Sequence, residues 1–151
     1  MKLKIDVDAR KTLEAFSRFP SQTKLAIKRS LYEAGTLIME KAQDEHKFTS
    51  RTGMLERSVS LDLEENRAVI FLDRSVAPYA NWVHAGTRPH VISASRKKVL
   101  RWTNGSSFAF AKRVHHPGTK PDEFLYRAAE NSREQINAIF NRNIDRALGG
   151  L

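Results

Sequence analysis

Apolar and polar residues alternate in two segments of the chain, residues 3–7 and 59–63, and this period of two is typical of half-buried strands. An apolar run at residues 68–72 follows the second segment across Asn66, which predicts an antiparallel hairpin. A second hairpin is predicted around Asn104-Gly105, with strands at residues 99–103 and 108–114. A short strand is also expected at residues 90–92.

Apolar residues recur three and four positions apart in two longer segments, which predicts two amphipathic helices. The first runs from Ser21 to about Glu45, and the second runs from near Leu125 to Gly149-Gly150. Their predicted apolar stripes are Ile27, Leu31, Ala34, Ile38 and Ala42 in the first, and Leu125, Ala129, Ser132, Ile136, Ile139 and Ala147 in the second.

Two shorter helices are predicted from capping residues. Asp8 can cap a helix that carries Leu13 and Phe16 and that Pro20 closes. Another helical turn is expected between Pro78, which suits a first turn, and Gly86, which suits a C-terminal cap.

Strands grouped between helices favour the α+β class. We therefore expect a single domain, residues 1–151, in which an antiparallel sheet of hairpins packs against two long helices. The polar segments 46–52 and 87–98 have weak periodicity, so they are expected to be mobile in an isolated subunit and to become ordered on assembly.

Size and composition narrow the class of protein. A chain of 151 residues and 17.2 kDa is long enough to bury a core. It has no cysteine, which excludes disulfides, thiolate metal sites and cysteine nucleophiles. No apolar run approaches the ~18 residues of a membrane span, and the first ten residues are too charged for a signal peptide. These features predict a soluble protein that is not secreted by the usual route.

The net charge is +9 with a pI of about 10.1, which favours a polyanionic neighbour. The basic residues look scattered, and the longest run is Arg96-Lys97-Lys98. One hypothesis is therefore a nucleic-acid-binding module that uses this run with Lys112 and Arg113, and Trp102 or Phe108 for stacking.

Candidate catalytic and metal-binding patterns are weak. His115 and His116 are adjacent on a predicted strand, so they point to opposite faces, and no histidine has the spacing of a metal motif. Neither "HAGTRPH" nor "HPGTKP" has the spacing of a phosphate or dinucleotide loop, and no Gly-x-Ser-x-Gly motif occurs. We predict no metal, no cofactor and no enzyme activity. An enzyme with an unrecognised site is the third hypothesis.

Three segments, "SRTGMLERSV", "PYANWVHAGT" and "HHPGTKPDEFLYRA", resemble the tail-completion, or neck, proteins of tailed bacteriophages and prophages. They span roughly half to two-thirds of the chain in the family's order. The matching positions are Arg51, Thr52, Gly53, Leu55, Tyr79, Ala80, Val83, Gly86, Thr87, Pro117, Gly118, Pro121, Phe124, Leu125 and Ala128. The chain departs from the family at His84, often acidic there, and at Asp122-Glu123, where Gln-Pro is usual.

The resemblance implies a structural virion component without enzyme activity. Such proteins form rings, typically hexamers, that join the tail tube to the head connector, and DNA passes through the ring. The chain would lie in the host cytoplasm before assembly and would have no membrane partner.

Closing a ring requires two different surfaces that meet head to tail. We expect one of them near Tyr79, Trp82 and Arg88. The other is expected near His116, Pro117, Gly118 and Lys120. Because a charge of +9 opposes self-association, raising the salt concentration is expected to promote assembly.

Overall fold

The computed structural model describes residues 3–15, 21–95 and 97–149. The strands are β1 (Lys4–Asp8), β2 (Val59–Leu63), β3 (Arg67–Leu72), β4 (His90–Ser93), β5 (Leu100–Asn104), β6 (Ser107–Ala111) and β7 (Arg113–His116). The helices are α1 (Arg10–Ala15), α2 (Ser21–Asp44), α3 (Met54–Arg57), α4 (Ala80–Ala85), α5 (Phe124–Asn131) and α6 (Arg133–Leu148). Every strand pair is antiparallel, and the α+β class predicted from the sequence is confirmed.

The main sheet has three strands in the order β1–β3–β2. The predicted hairpin is confirmed as β2 and β3, in register Leu61 with Ile70, and β1 joins the free edge of β3 with Ile5 opposite Ile70. Since directly opposite residues share a face, Ile5, Leu61 and Ile70 lie on one side of the sheet. This side is covered by α2.

The stripe predicted on α2 forms much of the core. Its five residues, Ile27, Leu31, Ala34, Ile38 and Ala42, are all almost fully buried. Gly35 lies among them, and a Cβ at this position would be 2.6 Å from Cδ1 of Leu61. The missing side chain therefore allows α2 to lie close to β2.

The second long helix predicted from the sequence is divided into α5 and α6. The break is at Ser132, which is buried and whose hydroxyl donates to the carbonyl of Ala128 at 2.6 Å. A serine hydroxyl that bonds the preceding turn weakens and bends a helix. α6 then continues along α2, where the amide of Asn143 donates to Oγ of Ser30 at 3.1 Å.

The prediction of one sheet is wrong, because the residues after α4 form two further two-stranded sheets, β4–β7 and β5–β6. The strand predicted at residues 108–114 divides near Lys112. Its first part pairs with β5 as the Asn104-Gly105 hairpin predicts, and its second part returns to β4. We call β5–β6 the ribbon. In the part of the chain that the structure describes, it packs mainly on itself.

The short helices agree with the sequence in part. Asp8 accepts a hydrogen bond from the backbone N–H of Arg10 at 2.9 Å, as predicted for the start of α1. The rest of that prediction, from Phe16 to Pro20, lies outside the described residues. α4 ends at Gly86, as predicted, with φ of 71°. The sequence did not predict α3, which has only four residues.

Candidate functional site

Two Gly-Thr turns, one from each of the "HAGTRPH" and "HPGTKP" segments, face each other. The N–H of Thr87 donates to the carbonyl of Thr119 at 2.9 Å, and the N–H of Thr119 donates to the carbonyl of Thr87 at 3.1 Å. We call residues 86–87 and 118–119 the Gly-Thr clasp. It continues the β4–β7 pairing across the turn and joins segments that are 32 positions apart.

The clasp requires glycine on both sides. Gly86 and Gly118 have φ of 71° and 90°, in the left-handed region that disfavours other residues. A Cβ on Gly118 would lie 2.3 Å from the carbonyl oxygen of Thr87, and a Cβ on Gly86 would lie 2.7 Å from that of Thr119. The carbonyl group of the opposite segment therefore lies where the Cβ of any other residue would be. The repeated Gly-Thr pattern in the sequence reflects this contact rather than two anion-binding loops.

A groove of about 490 Å³ lies beside the clasp. Trp82 is 63% exposed on its wall, and the rings of His90 and His116 lie 5.0 Å apart across the β4–β7 pair. The residues that line the groove are Tyr79, Trp82, Val83, Thr87, Arg88, His90, His116 and Thr119. An exposed indole in a groove that also contains an arginine, here Arg88, is typical of a surface that binds a partner.

The groove contains most of the predicted contact residues, but not as two separate groups. Tyr79, Trp82 and Arg88 line it together with His116. Gly118 is in the clasp next to them. The prediction of two separated surfaces is therefore wrong, since β4, β7 and the clasp bring both segments to one place.

The other two predicted contact residues lie at the edge of this region. Pro117 lines a shallow neighbouring depression with His115, and Lys120 is exposed just beyond the clasp. Neither residue lines the groove itself.

His84, on α4, has a structural position that the sequence did not reveal. It is 1% exposed, and its ring meets those of Phe124 and Tyr126 edge-on at 5.3 and 4.8 Å. Burial lowers the pKa of His84, against the opposing effect of the nearby carboxylates of Glu123 and Asp122. The ring is therefore neutral near pH 7 and supports the helix beneath the groove.

Asp122 anchors the segment that follows α2. Its carboxylate accepts hydrogen bonds from the backbone N–H groups of Lys47 and Phe48, at 2.6 and 3.0 Å. It also accepts one from the guanidinium of Arg127 at 2.7 Å. Burial raises the pKa of Asp122, but these hydrogen bonds outweigh burial and the pKa lies below its ordinary value. The first residues of segment 46–52 are therefore attached to the start of α5.

The net positive charge of the chain lies in one segment. Residues 74–121 contain nine Lys and Arg residues and no Asp or Glu, whereas the remainder contains 17 basic and 17 acidic residues. The basic residues themselves are scattered along the chain, as the sequence indicates, and the net charge lies in residues 74–121 because acidic residues are absent there. We call residues 74–121 the acid-free segment. It includes the groove, the clasp and the ribbon.

The ribbon exposes aromatic side chains on a face that also carries a cation. Phe108 and Phe110 are 58% and 60% exposed, and both lie on the same face because they are two positions apart. Arg101, opposite Phe110, places its guanidinium 4.6 Å from the ring centre of Phe108. Trp102 lies on the other face and is 42% exposed.

The described residues lack two other kinds of feature. They contain no group of three histidine, aspartate or glutamate residues placed to hold a metal ion. None of their helices is both long and apolar enough to cross a membrane.

The fold and groove together define an antiparallel α+β protein with a basic, aromatic-rich surface on one segment. Comparison of the chain with protein-family models, curated proteins and solved structures found no match.

Proposed function

We propose that the protein is a ring-forming component of a phage or prophage tail, which closes the head-proximal end of the tail and joins the tail tube to the head connector. The motifs around Gly53, Gly86 and Gly118 support this proposal through their resemblance to tail-completion proteins. The same resemblance favours a hexamer, a location in the virion, and DNA passing through the ring. The fold is compatible with a structural role, and the proposal includes no catalytic residue.

The observation that carries the proposal is the groove beside the clasp. Exposed aromatic residues in a concave surface are typical of protein interfaces, where they dominate the binding energy. Tyr79 is the N-cap residue of α4, and Trp82 lies within this helix. The clasp holds the opposite wall of the groove in place. A surface that is formed before binding loses little entropy on association, so it suits a contact between subunits.

A closed ring also needs a second, different surface on each subunit. We assign it to the shallow depression between α2 and α6 that includes Leu25, Ala26 and Ala147. Leu25 is 69% exposed there, more than any other large apolar residue in the described chain. The depression and the groove belong to different parts of the molecule, as a head-to-tail contact requires.

Complementation between two variants tests this arrangement. Trp82→Glu damages the groove and Leu25→Glu damages the depression, so each variant alone should remain monomeric at concentrations at which the natural chain forms rings. A mixture of the two should form dimers and no ring, because a mixed pair retains one intact contact and cannot extend further. Lys28→Glu, an exposed change on the same helix as Leu25, should leave the ring intact.

Sedimentation velocity and negative-stain electron microscopy measure these outcomes. A natural chain that stays monomeric at high concentration and in the presence of purified tails would contradict the proposed function. Rings that persist in both variants would keep the function and reject the assigned surfaces.

A second candidate function is nucleic-acid binding, which the acid-free segment favours because a surface without carboxylates attracts phosphates. Tight, salt-sensitive binding of DNA by a chain that never assembles would favour this function over the ring.

A further inference from the structure

The ribbon is an element whose exposure the fold does not explain. A two-stranded hairpin is marginally stable in water, and its apolar residues normally pack against the rest of the molecule. Here Phe108 and Phe110 face outward instead. These two rings therefore do not belong to the core. Their exposure is instead consistent with contact to an external ligand.

Cations lie at the open end of the ribbon, where β5 begins and β6 ends. Lys97 and Lys98 precede β5, Lys112 and Arg113 follow β6, and all four are exposed. Arg101 lies between them on the same face as Phe110. No carboxylate occurs in this part of the chain to neutralise them.

We propose that the ribbon binds single-stranded nucleic acid. The phosphates contact Lys97, Lys98, Lys112 and Arg113, and successive bases stack on Phe108 and Phe110. The two rings are separated by about 7 Å along the strand, which leaves room for one base on each. This combination of a cationic surface and exposed aromatic rings is the general means by which proteins hold unpaired strands.

Unpaired bases fit the ribbon better than a duplex or a second copy of this chain does. In a duplex the faces of the bases are covered by their neighbours, so Phe108 and Phe110 would gain nothing from it. A second copy of this chain carries no net negative charge outside the acid-free segment, so it attracts these cations less than a chain of phosphates does. The proposal does not depend on ring formation, since the groove and the ribbon are different surfaces.

The test measures the binding of a fluorescent oligothymidylate and of a duplex of the same length by fluorescence anisotropy. The double variant F108A/F110A should bind oligothymidylate roughly 5-fold to 150-fold more weakly for each ring removed. Its binding of the duplex should hardly change. Tyr32→Ala removes an aromatic side chain of similar exposure, 56%, from α2 and should have no effect on either ligand.

The charge contribution has its own matched pair. K97Q/K98Q should weaken binding. It should also reduce the slope of log K against log salt concentration by the amount expected for about two phosphate contacts. K24Q/K28Q removes two exposed charges from α2 and should leave both quantities unchanged. All substituted side chains are exposed, so circular dichroism should show equal melting temperatures for every variant.

Three results would overturn the proposal. They are an absence of binding at low salt, equal affinity for oligothymidylate and duplex, and unchanged oligothymidylate binding by F108A/F110A. If F108A/F110A instead prevents ring formation and still binds oligothymidylate, the ribbon is a contact between subunits. Ring formation by the natural chain is recorded in parallel, so the proposed function is judged separately.

Discussion

Among the glycines that the structure describes, Gly118 has the shortest contact at the position of a Cβ, 2.3 Å. Its positive φ disfavours any other residue, and the carbonyl of Thr87 occupies the space of a Cβ. Gly118→Val should destabilise the fold by more than the ~1–3 kcal/mol that backbone strain alone costs. Lys120→Ala, in the same exposed turn, should change the free energy of unfolding by no more than about 0.5 kcal/mol. Thermal unfolding of both variants measures the difference.

A third variant separates strain from contact. Gly53 also has a positive φ, 65°, but no atom lies within 4 Å of the position of its Cβ. Gly53→Ala should therefore show the cost of strain alone, and Gly118→Ala should cost clearly more. If the two alanine variants lost equal free energy of unfolding, the backbone of the clasp would have moved to accommodate the new Cβ. The close contact between Gly118 and Thr87 would then not stabilise the protein.

The local sequence indicates a turn at Pro117-Gly118, but it does not show the close contact that makes glycine necessary at residue 118. Pro-Gly is a local turn signal that any reader of the chain can recognise. The partner, Thr87, is distant in sequence, and a backbone contact leaves no trace in side-chain pattern. The same limit applied to His84, since nothing in its neighbours in sequence distinguishes a buried imidazole from an exposed one.

Among the elements, the segment after α2 depends on Asp122. Asp122→Asn should lose the ion pair with Arg127 and weaken two hydrogen bonds to the backbone, at a cost on the order of 1–3 kcal/mol. Amide exchange at Lys47 and Phe48 should become faster in this variant. Asp62→Asn, an exposed change on β2, should alter neither stability nor exchange. Unchanged protection of Lys47 and Phe48 in Asp122→Asn would mean that packing of Phe48, not the carboxylate, holds the segment.

The same anchor predicts a dependence on pH. The pKa of Asp122 is lower in the folded protein than its ordinary value of 3.8. Its contribution to stability is therefore fully present above about pH 4, and it is lost as the pH falls through the folded pKa. Denaturant unfolding should be measured from pH 5 downward. As the pH falls, the free energy of unfolding should decrease less in Asp122→Asn than in the natural chain.

The elements were predictable where one period dominates a long segment. α2 has an apolar stripe over 16 residues, from Ile27 to Ala42, so its bounds and buried face followed from the sequence. The break at Ser132 was missed because the stripe continues through it at helical spacing. The division of β6 from β7 was missed because residues 108–114 are uniformly compatible with one strand, and only pairing with β4 separates them.

For the whole molecule, the distribution of charge decides how salt acts. The groove contains Arg88, and the depression that it meets on the next subunit contains Arg29 and Arg146, so this contact brings like charges together. Raising the salt concentration should therefore promote ring formation and, in the same samples, weaken the binding of oligothymidylate. Sedimentation and anisotropy across one salt series measure both effects. A change of the same sign in both would contradict the assignment of the two surfaces.

The position of the ribbon between β4 and β7 has a consequence for how such a chain can diversify. The two strands that flank it are already paired, and the N–H of Ala94 donates to the carbonyl of Lys112 at 3.2 Å, so the ribbon enters and leaves the fold at nearly one point. An insertion with adjacent ends can be lengthened, shortened or exchanged at little entropic cost to the remainder. Replacing residues 95–111 with a tight Asn-Gly turn would convert β4 and β7 into a simple hairpin. The ribbon is thus a separable insertion, and its exchange would leave the pairing of β4 with β7 in place.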